Sequence, residues 1–72
     1  MGDENISESC TRARNALAAS PVYALRRLCV EKVGDSVIIT GRVPSFYQKQ
    51  MAQEIVRHAI DKLELVNSID VD

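Results

Sequence analysis

Val37-Ile38-Ile39-Thr40-Gly41-Arg42-Val43 decides the fold, because it reads as the strand around which the flanking segments must pack. Side chains alternate across a strand, so Val37, Ile39 and Val43 share one side while Ile38, Thr40 and Arg42 take the other. Gly41 falls on the apolar side and leaves a gap there, where another part of the backbone can come close. Pro44 stops the strand, and Ser45 followed by Gln48 is a capping-box pattern that opens a helix. This helix is predicted to reach about Asp61, with Ala52, Ile55, Val56 and Ala59 as its buried stripe and Lys49, Gln53, Glu54, Arg57 and His58 facing outward. The small side chains of Ala52 and Ala59 suit a helix lying low over Gly41.

Upstream, the chain alternates again from about Ala24 to Val33. Leu28 and Val30 take one side of this predicted strand; Arg27, Cys29 and Glu31 take the other. Gly34-Asp35 supplies a two-residue reversal with glycine first, as a type II′ hairpin turn requires. Val30 then lies opposite Ile39 and Leu28 opposite Gly41, which puts both apolar sets on one face. Further upstream, Ile6, Cys10, Ala13 and Leu17 recur at helical spacing and predict a helix from about Ser7 to Ala19, ended by Ser20-Pro21. Arg12 and Arg14 lie off its stripe and read as solvated charges. Residues 1–5 are polar and read as a flexible N-terminus, leaving 6–72 as a single domain.

Downstream, Leu63 to Val71 alternates with Leu65, Ile69 and Val71 on one parity. It reads as a third strand, reached from the second through the helix by a right-handed crossover, and it can lie beside either of the others. The expected class is therefore α+β in the order αββαβ. Two helices pack on one face of a three-stranded mixed or antiparallel sheet, because only one face of the hairpin is continuously apolar.

The totals bound what such a domain can be. Its 72 residues support one core of about fifteen apolar side chains. A net charge of -1 without basic clusters argues against a nucleic-acid surface. The first ten residues, MGDENISESC, lack the apolar stretch of a secretory signal, and nothing later approaches the ~20 apolar residues of a membrane span. The chain as written is expected in the cytoplasm, or at the envelope if it is part of a longer exported protein. Cys10 and Cys29 should point into different spaces, the first toward the core and the second away from it, so two reduced thiols are expected.

These packing positions resemble those of the BON domain, a small bacterial module named for osmotically inducible and nodulation proteins. The family's second-strand pattern, V-x-L-x-G-x-V, is met by Val37, Ile39, Gly41 and Val43. Its helix is met by Ala52, Ile55, Val56 and Ala59, and its last strand by Leu65, Asn67, Ile69 and Val71. The likeness spans Ile6 to Val71 and consists of packing positions, with no catalytic motif among them. The chain departs from the pattern at Gly34-Asp35, where the family places glycine directly before the second strand. It departs again at Asp61-Lys62, where the family has Gly-Val. The resemblance implies a non-enzymatic envelope module that attaches to phospholipid, as in osmotic-shock proteins, secretins and channels.

The residues themselves carry no catalytic, cofactor or metal constellation. The single histidine, His58, lies four residues after Glu54 on an outward helix face, and neither a zinc-ligand spacing nor a phosphate loop is present. Two surfaces remain as candidates for binding. The sheet face away from the helices should carry Arg27, Cys29, Ile38, Thr40, Arg42 and Val66, an apolar centre with arginines at its rim, suited to a protein partner or a homodimer. A phospholipid surface could instead meet Arg12 and Arg14 together with Phe46 and Tyr47, although Phe46 also suits closure of the core end.

Overall fold

A computed structural model describes residues 2–60 and 63–72, with side chains described from Glu8 onward. The elements are α1 (Gly2–Ala18), α2 (Tyr23–Arg26), β1 (Cys29–Val33), β2 (Ser36–Val43), α3 (Phe46–Ala59) and β3 (Glu64–Val71). The class is the expected α+β, with a mixed sheet in the order β1-β2-β3. β1 runs antiparallel to β2 in the register anticipated from the hairpin, Val30 opposite Ile39. β3 runs parallel to β2, with Val37 opposite Leu65 and Gly41 opposite Ile69, which settles the strand order that the sequence left open. The parallel pair requires a crossover, and α3 supplies it.

Alternation along β2 builds the core. Val37, Ile39 and Val43 are fully buried, and Ile69 on β3 and Val30 on β1 join them beneath the helices. The stripe of α1 contributes Cys10, Ala13 and Leu17, while α3 contributes Ala52 and Val56, with Ile60 at its C-cap. Ile55 and Ala59 are only half buried. α1 and α3 pack together over the same sheet face. The α3 N-terminus forms as its sequence predicts, with Ser45 Oγ accepting a hydrogen bond from Gln48 N–H at 3.2 Å.

Three expectations differ, the first being that α1 begins at Gly2, five residues before the expected Ser7. The segment from Ala24 to Leu28 is not strand. Ser20 Oγ accepts from Val22 N–H after Pro21, and the chain then makes the short helix α2, closed by Arg27 N–H to the Ala24 carbonyl and Leu28 N–H to the Leu25 carbonyl. Helical curvature turns Leu25 fully into the core, which an extended strand at that point could not do. The gap at Gly41 is also not roofed by α3. A Cβ built there would lie 2.6 Å from Leu28 Cδ2, and the next nearest atoms belong to Leu28 as well. Leu28, the residue just before β1, fills the hole, and Gly41 takes φ +135, a backbone conformation that side-chain-bearing residues rarely adopt. Gly34 has φ 60, as the first central position of a primed hairpin turn requires. The predicted helix end at Asp61-Lys62 lies outside the described residues.

Candidate interaction surface

Because β2 is central, its outward residues form the spine of the open sheet face. Across the strands, Glu31, Ile38 and Val66 make one row and Cys29, Thr40 and Ser68 the next. Ile38 and Thr40 are half buried by these neighbours, Cys29 is exposed, and Val66 retains 37% of its surface. Toward the hairpin turn, Val33, Ser36 and Glu64 form a further row, with Val33 more than half exposed and Ser36 Oγ donating to Glu64 Oε1 at 3.2 Å. Val33 was missed as a surface residue, although its parity with Glu31 was legible.

At the other end of the face stands Arg42, paired with Asp72 at 3.4 Å. The open face thus has an apolar middle, glutamates toward the turn, and at the far end Arg42 with Asp70 beside it in register and Asp72 paired to it. Of the residues anticipated here, Arg27 is absent. It caps α2, and its Nη1 donates to Tyr23 Oη at 3.2 Å. The misread segment at Ala24–Leu28 is the cause, since parity cannot be carried through a helical turn.

The four residues grouped for lipid contact do not form one surface. Arg12 Nε donates to the Ala59 carbonyl at 3.1 Å and its Nη2 to Ser9 Oγ at 3.2 Å. Its guanidinium therefore serves the C-terminal carbonyl end of α3, where a cation is favoured. Phe46 begins the same helix thirteen positions earlier, about 20 Å away at 1.5 Å per residue. Arg14 holds the Val30 carbonyl through Nε at 3.2 Å and Nη2 at 2.9 Å, which ties α1 to the edge strand β1. Neither arginine is a free solvated charge. Phe46 and Tyr47 stand 73% and 72% exposed, so Phe46 does not close the core end; the Lys49 ammonium lies 5.8 Å from its ring centroid.

One polar contact on the covered side was hidden from sequence reasoning. Asn67 faces α3 from β3 and donates through Nδ2 to Gln53 Oε1 at 3.1 Å and toward the Lys49 carbonyl at 3.4 Å; its Oδ1 accepts from Ile69 N–H. Gln53, read as outward, turns toward β3 for this reason. Glu54 pairs with Arg57 at 3.7 Å on the exposed side of α3. Among the described residues, no group of histidine, cysteine and carboxylate side chains is placed to hold a metal, and no helix is long and apolar enough to cross a membrane. Compared with protein-family models and with curated proteins, the chain matches none, so functional reading rests on its own geometry.

Proposed function

We propose that this chain is a non-enzymatic binding module of the BON type that works through its open sheet face, with a second copy of itself as the occupant. The observation that carries this reading is the unroofed side of the sheet, where Ile38 is centred between Val66, Thr40 and Glu31 while Val33 and Cys29 are exposed. Apolar area rather than charge carries the pairing, since carboxylates stand at both ends of the face. A three-stranded face covers only several hundred Å² per partner, at the low end of specific interfaces, so the dimer is expected to be weak.

Sedimentation of the wild type and Ile38→Lys up to about 1 mM, where a weak dimer becomes populated, tests it. The wild type should shift toward dimer with concentration while the folded variant stays monomeric. Two monomers of equal stability defeat the reading.

A second reading, attachment to phospholipid, is favoured by the exposed Phe46-Tyr47 pair with Lys49 beside it. Aromatic rings next to a cation suit a headgroup boundary. With a net charge of -1 such binding should be weak and salt-sensitive. Co-sedimentation with anionic liposomes at low salt should capture the wild type and lose Phe46→Ser/Tyr47→Ser; absence of wild-type binding removes this reading.

A further inference from the structure

A cleft of about 410 Å³ opens where α2 meets the ends of β2 and β3, lined by Tyr23, Arg27, Arg42, Pro44 and Asp72 among others. It lies at the rim of the open face but is not part of its apolar middle. Two guanidinium groups, those of Arg27 and Arg42, line it. That of Arg27 lies 5.7 Å from the centroid of the Tyr23 ring and has no carboxylate partner among the described residues. Arg42 has one, Asp72, at 3.4 Å, with both side chains mostly exposed. Arg27 is balanced by the ring quadrupole and a hydroxyl, and Arg42 by the exposed carboxylate of Asp72, with Asp70 its neighbour in register on β3. A doubly charged anion between them would serve both guanidinium groups, which Asp72, on Arg42 alone, does not.

We infer that this cleft is a binding site for a phosphate monoester dianion, gripped between Arg27 and Arg42 with the Tyr23 hydroxyl as a third donor and with Asp72 as the resident competitor. The forked donors of arginine match phosphate oxygens in pairs, which a scatter of lysines would not. Arg27 already reaches Tyr23 Oη at 3.2 Å, so the hydroxyl proton is free to turn toward an anion. The volume exceeds what a phosphate group needs and leaves room for the organic group that carries it.

The test is a two-dimensional NMR titration of the whole chain with inorganic phosphate at pH 8 and constant ionic strength, with Arg57→Gln as a charge-matched control away from the cleft. Saturable shifts confined to Tyr23, Arg27 and Arg42 are expected, weakened at least fivefold by Arg27→Gln or Arg42→Gln and unchanged by Arg57→Gln. Asp72→Asn should tighten binding severalfold, because it removes the competing carboxylate; a merely structural Arg42–Asp72 pair predicts no gain. Failure to saturate, equal weakening by Arg57→Gln, or no tightening by Asp72→Asn overturns the site. Vesicles containing phosphatidic acid separate the two sources of this chemistry. Vesicle binding displaced by free phosphate identifies a lipid headgroup, and phosphate binding without vesicle binding identifies a soluble ester. Vesicle binding without any binding of free phosphate overturns the proposal.

Discussion

The two faces of the one sheet are built from alternate residues of the same strand, yet they are in different physical states. Val37, Ile39 and Val43 are fully buried beneath α1 and α3, while Ile38 and Thr40 between them are half covered by cross-strand neighbours alone. Propensity does not distinguish adjacent isoleucines. What distinguishes them is that the chain has two long helices and places both on one side. The covered face therefore stores the stability, and the open face is where substitutions can change partners without unfolding the domain.

Truncating the adjacent isoleucines should break the symmetry most visibly. Ile39→Ala leaves a cavity in the closed core and should cost about 2–5 kcal/mol, a large share of what so small a domain possesses. Ile38→Ala removes side-chain surface that is still partly wet and should cost about 1 kcal/mol or less. Urea midpoints of the two variants measure the difference directly. Equal losses would mean that the open face is covered in solution, which would itself support self-association.

Gly41 sharpens the same contrast, because it sits on the covered parity but is exposed, with Leu28 as its nearest neighbour. Gly41→Ala should destabilise by about 1–3 kcal/mol, from the unfavourable φ and from overlap with Leu28. Thermal or urea melts of Gly41→Ala with and without Leu28→Ala separate the two causes. The overlap should vanish in the double variant and the conformational cost should remain, giving a coupling of about 1 kcal/mol; strict additivity would show that Leu28 moves aside freely.

Asn67→Ala should follow, at about 1–2 kcal/mol, since it removes the contacts to Gln53 and Lys49 and leaves the Ile69 N–H without its acceptor. Because β3 pairs with a neighbour on one side only, the loss should also speed amide exchange at Ile69. Unchanged exchange there would place the hydrogen bond outside the solution ensemble.

Much of this architecture was legible because two periodicities agree. Alternation over Val37–Val43 and Leu65–Val71, the 3.6-residue stripes of α1 and α3, and the two-residue turn at Gly34-Asp35 together force both helices to one face and fix the hairpin register. The segment Ala24–Leu28 was not legible. A four-residue helix has no period to read, and burial of Leu25 from above the sheet end is a tertiary demand. The open-face residues followed from parity, apart from Arg27, which the hidden helix displaced. The roles of Arg12, Arg14 and Asn67 escaped for a different reason. Each reaches a backbone or side chain at least fourteen positions away, and long polar side chains flanking an apolar stripe do not announce which neighbour they will meet.

The smallest expected effect compares one residue type on the two sides. Arg14 spans from α1 to the Val30 carbonyl with two donors, partly buried, whereas Arg42 on the open face meets Asp72 through an exposed contact. Arg14→Gln should cost about 0.5–1.5 kcal/mol and loosen β1, because a carbonyl on an edge strand loses a charged donor. Arg42→Gln should cost about 0–0.5 kcal/mol, since exposed ion pairs contribute little once side-chain entropy and screening are counted. Melts at low and high salt distinguish the mechanisms: the small Arg42 effect should disappear in salt, and the Arg14 effect should persist because its acceptor is a neutral carbonyl. Should Arg42→Gln prove the more damaging of the two at high salt, the rim of the open face would be bearing structural weight, and the separation of stability from partner choice between the two faces would fail.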